Sequence, residues 1–167
     1  MNDFLKMFNN EEETVDVEFE KYLTFLTDKR TFAFPITDVI EIIEVTEPTP
    51  VPEFPEYVKG IINTKGRVIP VIDIRLRFGI KEIEYTDRTC IIVVSISGVE
   101  IGFIVDTVVA VIELNEEMIA PPPVVTTDRV TRYIIGVAKY EKELIVILNA
   151  KKILDDKGFN IVAEHTK

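Results

Sequence analysis

From Tyr22 onward, apolar residues recur in short runs with a period near two, the pattern of half-buried β-strands. Phe32, Phe34 and Ile36 alternate with their neighbours, and Cys90 to Ile96 is almost wholly apolar and β-branched. Long helices are not visible. Short helical turns are predicted where a capping side chain precedes them: Asp73 before Ile74 to Phe78 and then Gly79, Asn115 before Glu116 to Met118, and Asn149 before Ala150 to Leu154. Prolines cluster at Pro48, Pro50, Pro52 and Pro55 and again at Pro121 to Pro123. Proline lacks the N–H that a ladder or helix needs, so these clusters mark two connecting loops. Pro70, inside Val68 to Ile74, predicts that this strand is an edge or carries a bulge.

Laid against itself at a spacing of about 70 residues, the chain matches without a gap over two stretches. Phe32 to Val45 runs beside Ile101 to Leu114, pairing Val39 with Val108, Ile42 with Val111 and Glu44 with Glu113. Tyr57 to Ile62 and Val68 to Asp73 run beside Tyr133 to Ala138 and Leu144 to Asn149, so that even the caps Asp73 and Asn149 coincide. The physical reading is a duplication of a small β unit. About five short strands per unit are too few for a two-sheet sandwich but enough for a small barrel that hides its own edges.

Composition narrows the function. The 167 residues include 29 Asp and Glu against 19 Lys and Arg, a net charge of -10, and 47% are apolar, which describes a folded acidic protein. No run of Lys and Arg occurs, which argues against nucleic acid or an anionic membrane as partner. The single cysteine, Cys90, lies in an apolar run, and the single histidine, His165, lies in the last three residues. A disulfide, a thiolate or histidine metal cluster and a Ser-His-Asp or Cys-His pair are thereby removed. No stretch reads as a signal peptide or a membrane span, so the expected location is cytoplasmic, without membrane insertion.

Three features invite a chemical reading and favour a plainer one. Gly60 to Arg67 superficially resembles a phosphate loop, but Lys65 precedes the second glycine, and a strand ending in a hairpin turn at Lys65-Gly66 fits better. Glu41, Glu44 and Glu47 are three carboxylates in seven residues; strand alternation puts Glu41 and Glu44 on opposite faces, as expected of a solvated segment. Phe4, Leu5, Met7 and Phe8 form an amphipathic turn, for which terminal fraying competes with docking on a partner. Ile36, Val39, Ile42, Val108 and Val111 suit either core positions or two symmetry-related walls of one groove.

The stretch Tyr57-Val-Lys-Gly60-Ile-Ile-Asn63-Thr-Lys-Gly66-Arg-Val-Ile-Pro70-Val-Ile-Asp73-Ile-Arg75-Leu-Arg-Phe78 strongly resembles the signature of CheW-type chemotaxis coupling proteins. The resemblance continues through Gly102 to Val108, Pro121 to Pro123 and Tyr133 to Gly136. It implies one CheW-like domain over residues 17 to 154, built of repeats at about 22 to 79 and 90 to 154, between tails of 1 to 16 and 155 to 167. The implied fold is all-β with short helices: two intertwined five-stranded SH3-like barrels.

The resemblance further implies an adaptor without catalytic residues, metal or cofactor. Its implied partners are the regulatory domain of the histidine kinase CheA and the cytoplasmic tip helices of chemoreceptors, in an array at the membrane. Carried over by position, receptor binding falls on Ile36, Val39, Glu41, Gly60, Lys65, Val108 and Val111, and kinase binding near Lys65, Arg67 and Val68. An amphipathic helix laid in an apolar groove is a familiar recognition mode. One departure stands out: the family usually has Asn-Leu-Arg-Gly where this chain has Asn63-Thr64-Lys65-Gly66, which keeps a base but loses the planar guanidinium. The alternatives are a CheW-like scaffold of another array, such as one controlling surface motility, and a small β-barrel enzyme or ligand-binding protein.

Overall fold

A computed structural model describes residues 18–122, 132–154 and 156–165. Eleven strands form two sheets among these residues. The first half supplies β1 (Glu20–Thr27), β2 (Arg30–Pro35), β3 (Val39–Glu44), β4 (Val58–Thr64) and β5 (Arg67–Asp73). The second supplies β6 (Cys90–Ile96), β7 (Val99–Val105), β8 (Thr107–Leu114), β9 (Ile119–Ala120), β10 (Ile134–Tyr140) and β11 (Glu143–Leu148). The six-stranded sheet runs β8-β1-β2-β11-β10-β9, and the five-stranded sheet runs β3-β6-β7-β5-β4.

The two orders are the same once the repeats are exchanged. Each sheet takes a hairpin from one half, β1–β2 or β6–β7, and inserts it among strands of the other half. The closing contact is in both cases a short parallel pairing, β2 with β11 and β7 with β5. The fold is therefore all-β and intertwined, and neither sheet forms from one half of the chain alone.

Alternation explains why the central strands are apolar throughout. On β6, Ile91 and Val93 face a small core with Ile62, Ile69, Val71 and Ile104, while Ile92, Val94 and Ile96 face a larger core shared by both sheets. On β2, Ala33 faces the small core of the six-stranded sheet with Ile112, Leu114, Ala138 and Ile147, while Phe32 and Phe34 face the shared core. Phe34 packs against Phe25 and Phe103 there, with ring centroids 5.0 and 5.2 Å apart. Strands buried on both faces cannot show a clean two-residue period.

The repeats also share their irregularities. A bulge interrupts β3 between Val39 and Glu41, and its counterpart on β8 lies between Val108 and Ala110. Another lies between Val58 and Gly60 on β4 and between Ile134 and Gly136 on β10. Gly60 has φ +147, and a Cβ there would lie 2.0 Å from the Thr49 carbonyl oxygen; one on Gly136 would lie 2.8 Å from that of Ala120. Arg77 places its guanidinium over the rings of both Tyr57 and Tyr133, at 4.2 and 4.9 Å, tying equivalent positions of the repeats together.

The three capped turns form as expected. Asp73 accepts from the N–H groups of Arg75 and Leu76, Asn149 from those of Lys151 and Lys152, and Asn115 from that of Met118. The strand containing Pro70 is not an edge as a whole: β5 lies between β7 and β4. Its parallel pairing with β7 begins only at Val71, so Pro70 sits where no ladder bond to β7 is required.

The segment expected as a tail, 155 to 167, contains the helix Asp156–His165. Val162 of this helix is fully buried in the shared core and Phe159 packs against it. The amphipathic turn expected at Phe4 to Phe8 and most of the loop after Pro122 lie outside the described residues.

Candidate functional site

β4 and β5 meet in a tight hairpin at Lys65 and Gly66, with φ of 53 and 79. Two successive left-handed residues match the twist of the flanking strands, and the hairpin reading of this segment over a phosphate loop holds. The turn projects the Lys65 side chain, which is 77% exposed.

Beside it lies a cluster of charges that the sequence does not bring together. Arg67 donates from one guanidinium nitrogen to Glu41 and from the other to Glu100, while the Lys65 ammonium lies 3.5 Å from the second Glu41 oxygen. The positions follow from alternation. Arg67 shares a strand face with Ile69 and Val71, Glu41 with Ile43, and Glu100 with Ile104, all belonging to or packed on the small core of the five-stranded sheet. The three charged groups close one mouth of that core. Hydrogen bonding from Arg67 holds the Glu41 carboxyl below the usual carboxylate range, with the Lys65 charge acting in the same direction.

The remaining candidates fall in several places. Ile36, in the turn Ile36–Asp38, and Val39 and Val108, at the starts of β3 and β8, are partly buried and pack against the rim of the shared core. Val111 is exposed on β8 in the other sheet, as is Ile42 on β3, so neither is a core residue. Gly60 is buried and has no side chain to offer, and its structural part is the close approach to Thr49. Val68 is exposed, and its side chain leaves β5 on the face opposite Arg67. The two groups of candidates share Lys65 and touch where Arg67, a kinase candidate, binds Glu41, a receptor candidate, while Val68 stands apart on the other face of β5.

Glu41 and Glu44 do lie on opposite faces of β3, with Glu44 exposed. Glu100 carried no signal in the sequence, since only the pairing of β7 in the five-stranded sheet brings it to Arg67. A second cross-repeat cluster was likewise illegible: Arg75 is bound to Asp106, whose carboxylate also accepts from the Asp28 N–H. A cavity of about 770 Å³ lies elsewhere, at the end of the six-stranded sheet, lined by Glu18, Glu20, Glu116 and Glu117 over Leu114 and Ile119.

Residues 21–158 match the model of the CheW-like domain. The chain belongs to this family. It is 35% identical to the chemotaxis protein CheW of Bacillus subtilis over 139 residues, covering 83% of this chain and 89% of that protein. The solved structure of the scaffolding protein TtCheW from Thermoanaerobacter tengcongensis superposes with a TM-score of 0.77 at 37% identity, covering 84% of this chain and 96% of that one. Protein FrzA of Myxococcus xanthus is 29% identical over 147 residues, 86% of this chain and 91% of that protein. The CheW-like fold is thus common to this chain and to proteins named for chemotaxis and for scaffolding. No helix among the described residues is long and apolar enough to cross a membrane.

Proposed function

We propose that this protein is a chemotaxis adaptor that binds chemoreceptor tip helices and the regulatory domain of the histidine kinase CheA together, contributing affinity and geometry and no catalysis. The observation that carries this reading is the match to chemotaxis proteins along nearly the whole folded chain. In this reading the protein works in the cytoplasm, at receptor arrays.

The receptor helix is taken by the apolar rim residues Ile36, Val39 and Val108 with Glu41 and Lys65 beside them. β-Branched side chains suit such a surface because they lose little rotamer freedom on contact. Gly60 supports it indirectly, by letting the Thr49 segment pack against β4. Val111, exposed on β8, extends the apolar surface on the other sheet. The kinase domain is taken by Lys65, Arg67 and the exposed Val68 at the hairpin end of β5.

The test is a binding titration of the full chain with a receptor-tip fragment and, separately, with a CheA regulatory domain. The expected result is saturable binding of each and a ternary complex when both are present. Binding of neither, or saturable micromolar ATP binding, overturns the adaptor reading. The FrzA relationship keeps a second array in view, and it is tested by repeating the titration with tip fragments of several receptors.

A further inference from the structure

We propose that Arg77 is a positioning residue of the receptor groove: held where the two sheets meet, its guanidinium fixes how one sheet sits against the other, and thereby the placement of Val39 relative to Val108. This rests on the adaptor reading and deepens it.

Three observations carry it. The first is where Arg77 stands. It is the last residue of the short helix Ile74–Arg77, and its counterpart in the second repeat is Ile153, the last residue of Ala150–Ile153. Its Nε donates at 2.5 Å to the carbonyl of that same Ile153. A residue that touches its own counterpart lies close to the axis relating the repeats, where a long side chain from one repeat occupies the place its counterpart would take. The chain resolves this unequally: Arg77 supplies the guanidinium, and Ile153 is fully buried in the shared core.

The second is what the guanidinium touches. Tyr57 stands just before β4 in the five-stranded sheet and Tyr133 just before β10 in the six-stranded one, and Arg77 lies over both rings. Each tyrosine is held in the same way, its carbonyl accepting from the N–H of the capping residue of its own repeat: Asp73 to Tyr57 at 3.0 Å and Asn149 to Tyr133 at 2.7 Å. Phe78 adds a stacked contact with Tyr133, centroids 5.9 Å apart. A planar cation that covers two rings with its face while donating from its edge fixes direction as well as distance. The apolar packing between the sheets is non-directional by comparison.

The third is how the two partner surfaces are divided. The groove has one wall on each sheet, Val39 on β3 and Val108 on β8, both resting on the shared core. The kinase candidates Lys65, Arg67 and Val68 all lie at the hairpin end of β5. Arg77 follows the other end of that 7-residue strand, roughly 20 Å away. A small rotation between the sheets therefore changes the groove and leaves the hairpin surface intact.

Receptor-tip and CheA regulatory-domain affinities, melting temperatures and valine methyl NMR spectra are compared for the full chain as wild type, Arg77→Gln, Arg77→Lys, Tyr57→Phe, Tyr57→Leu and the double variant Arg77→Gln with Tyr57→Leu. Arg77→Gln is expected to weaken receptor binding about tenfold with kinase binding unchanged, and to shift the methyl resonances of Val39 and Val108 but not those of Val68. Arg77→Lys keeps the charge but not the plane and is expected to lose nearly as much. Tyr57→Phe keeps the ring and is expected to bind as the wild type does. Tyr57→Leu is expected to reproduce the loss, and the double variant to add little to either single change.

Full receptor affinity in a folded Arg77→Gln, or in Arg77→Lys, overturns the inference; the second result would mean that the charge alone suffices. Equal weakening of both partners with a lowered melting temperature, or losses that add in the double variant, also overturns it and leaves the adaptor reading intact. Failure of the wild type to bind a receptor tip overturns both.

Discussion

Arg75 and Asp106 face each other in a two-pronged pair, Nε to Oδ1 at 2.9 Å and Nη2 to Oδ2 at 2.7 Å. One residue follows β5 and the other follows β7, so the pair joins the two halves of the chain at the point where β5 and β7 run parallel. Burial works against the Asp106 carboxylate, but the Arg75 hydrogen bonds, helped by the Asp28 N–H, hold it below its ordinary value. A carboxyl depressed in the fold contributes stability that is present above the unfolded pKa of about 3.9 and disappears as pH falls through the folded value. Asp106→Asn should therefore cost about 1 kcal/mol at neutral pH, the lower range because solvent reaches the pair. Denaturation curves from pH 7 downward should converge for wild type and variant in acid; a constant gap would mean the loss is steric.

Asp73 has the opposite sign. It is buried, and desolvation raises its pKa against the two backbone N–H groups that it accepts from as a helix cap. A carboxyl raised in the fold weakens stability as pH rises from the unfolded pKa through the folded one. Asn149 performs the equivalent cap in the other repeat without a charge. Asp73→Asn should keep the cap, match or exceed wild-type stability at pH 7, and remove the slope, whereas Asp73→Ala should cost about 1 kcal/mol. Urea midpoints at pH 4 and pH 7 for both variants check this, and an Asn variant as unstable as the Ala variant would show that the charge itself is needed.

Local chemistry was readable in the sequence wherever the cause lay within a few residues. The caps Asp73, Asn115 and Asn149 and the Lys65-Gly66 turn each act on neighbouring backbone, and the duplication showed because equivalent bulges and glycines keep their spacing. The exchange of hairpins between sheets was not readable from the pattern alone, since β1–β2 carries the same alternation whichever strands receive it; the family resemblance supplied it. The helix Asp156–His165 was obscured by Gly158 and by its short apolar stripe, although Phe159 and Val162 stand at helical spacing. Arg67 and Val68 illustrate the same limit at the site. They are adjacent in the chain, and only the strand's alternation sends them to opposite faces and Arg67 to Glu41 and Glu100.

Gly60 and Gly66 separate two reasons for a glycine. Both have positive φ, but a Cβ on Gly66 would meet nothing within 4 Å, while one on Gly60 would collide with the Thr49 backbone. Gly66→Ala should therefore cost about 1 kcal/mol from conformation alone. Gly60→Ala should cost more, about 2 to 4 kcal/mol, because backbone must move and the paired bonds Thr49 N–H to Ile61 and Ile61 N–H to Thr49 are lost. Thermal denaturation of the two variants side by side gives the ranking; equal losses would show that the Thr49 segment yields freely.

Val39 and Val108 occupy equivalent places in the repeats and pack against opposite strands of the shared core while keeping part of their surface open. A lysine at either position can run its methylenes along the rim and keep its ammonium in water, so Val39→Lys or Val108→Lys should lower the melting temperature by only a few degrees. A docked receptor helix would remove that water, and an unpaired buried ammonium costs several kcal/mol, so receptor affinity should fall roughly a hundredfold or more. Binding of the kinase domain through the hairpin end of β5 at Val68 should be nearly unchanged. Val111→Lys supplies the comparison: Val111 is exposed and does not pack on the shared core, so its stability should stay within about 0.5 kcal/mol of wild type. Both affinities and the thermal midpoint are to be measured on one preparation of each variant. Loss of both partners in a destabilised Val39→Lys would return that position to the core, whereas a folded variant with intact receptor binding would move the receptor helix off this rim.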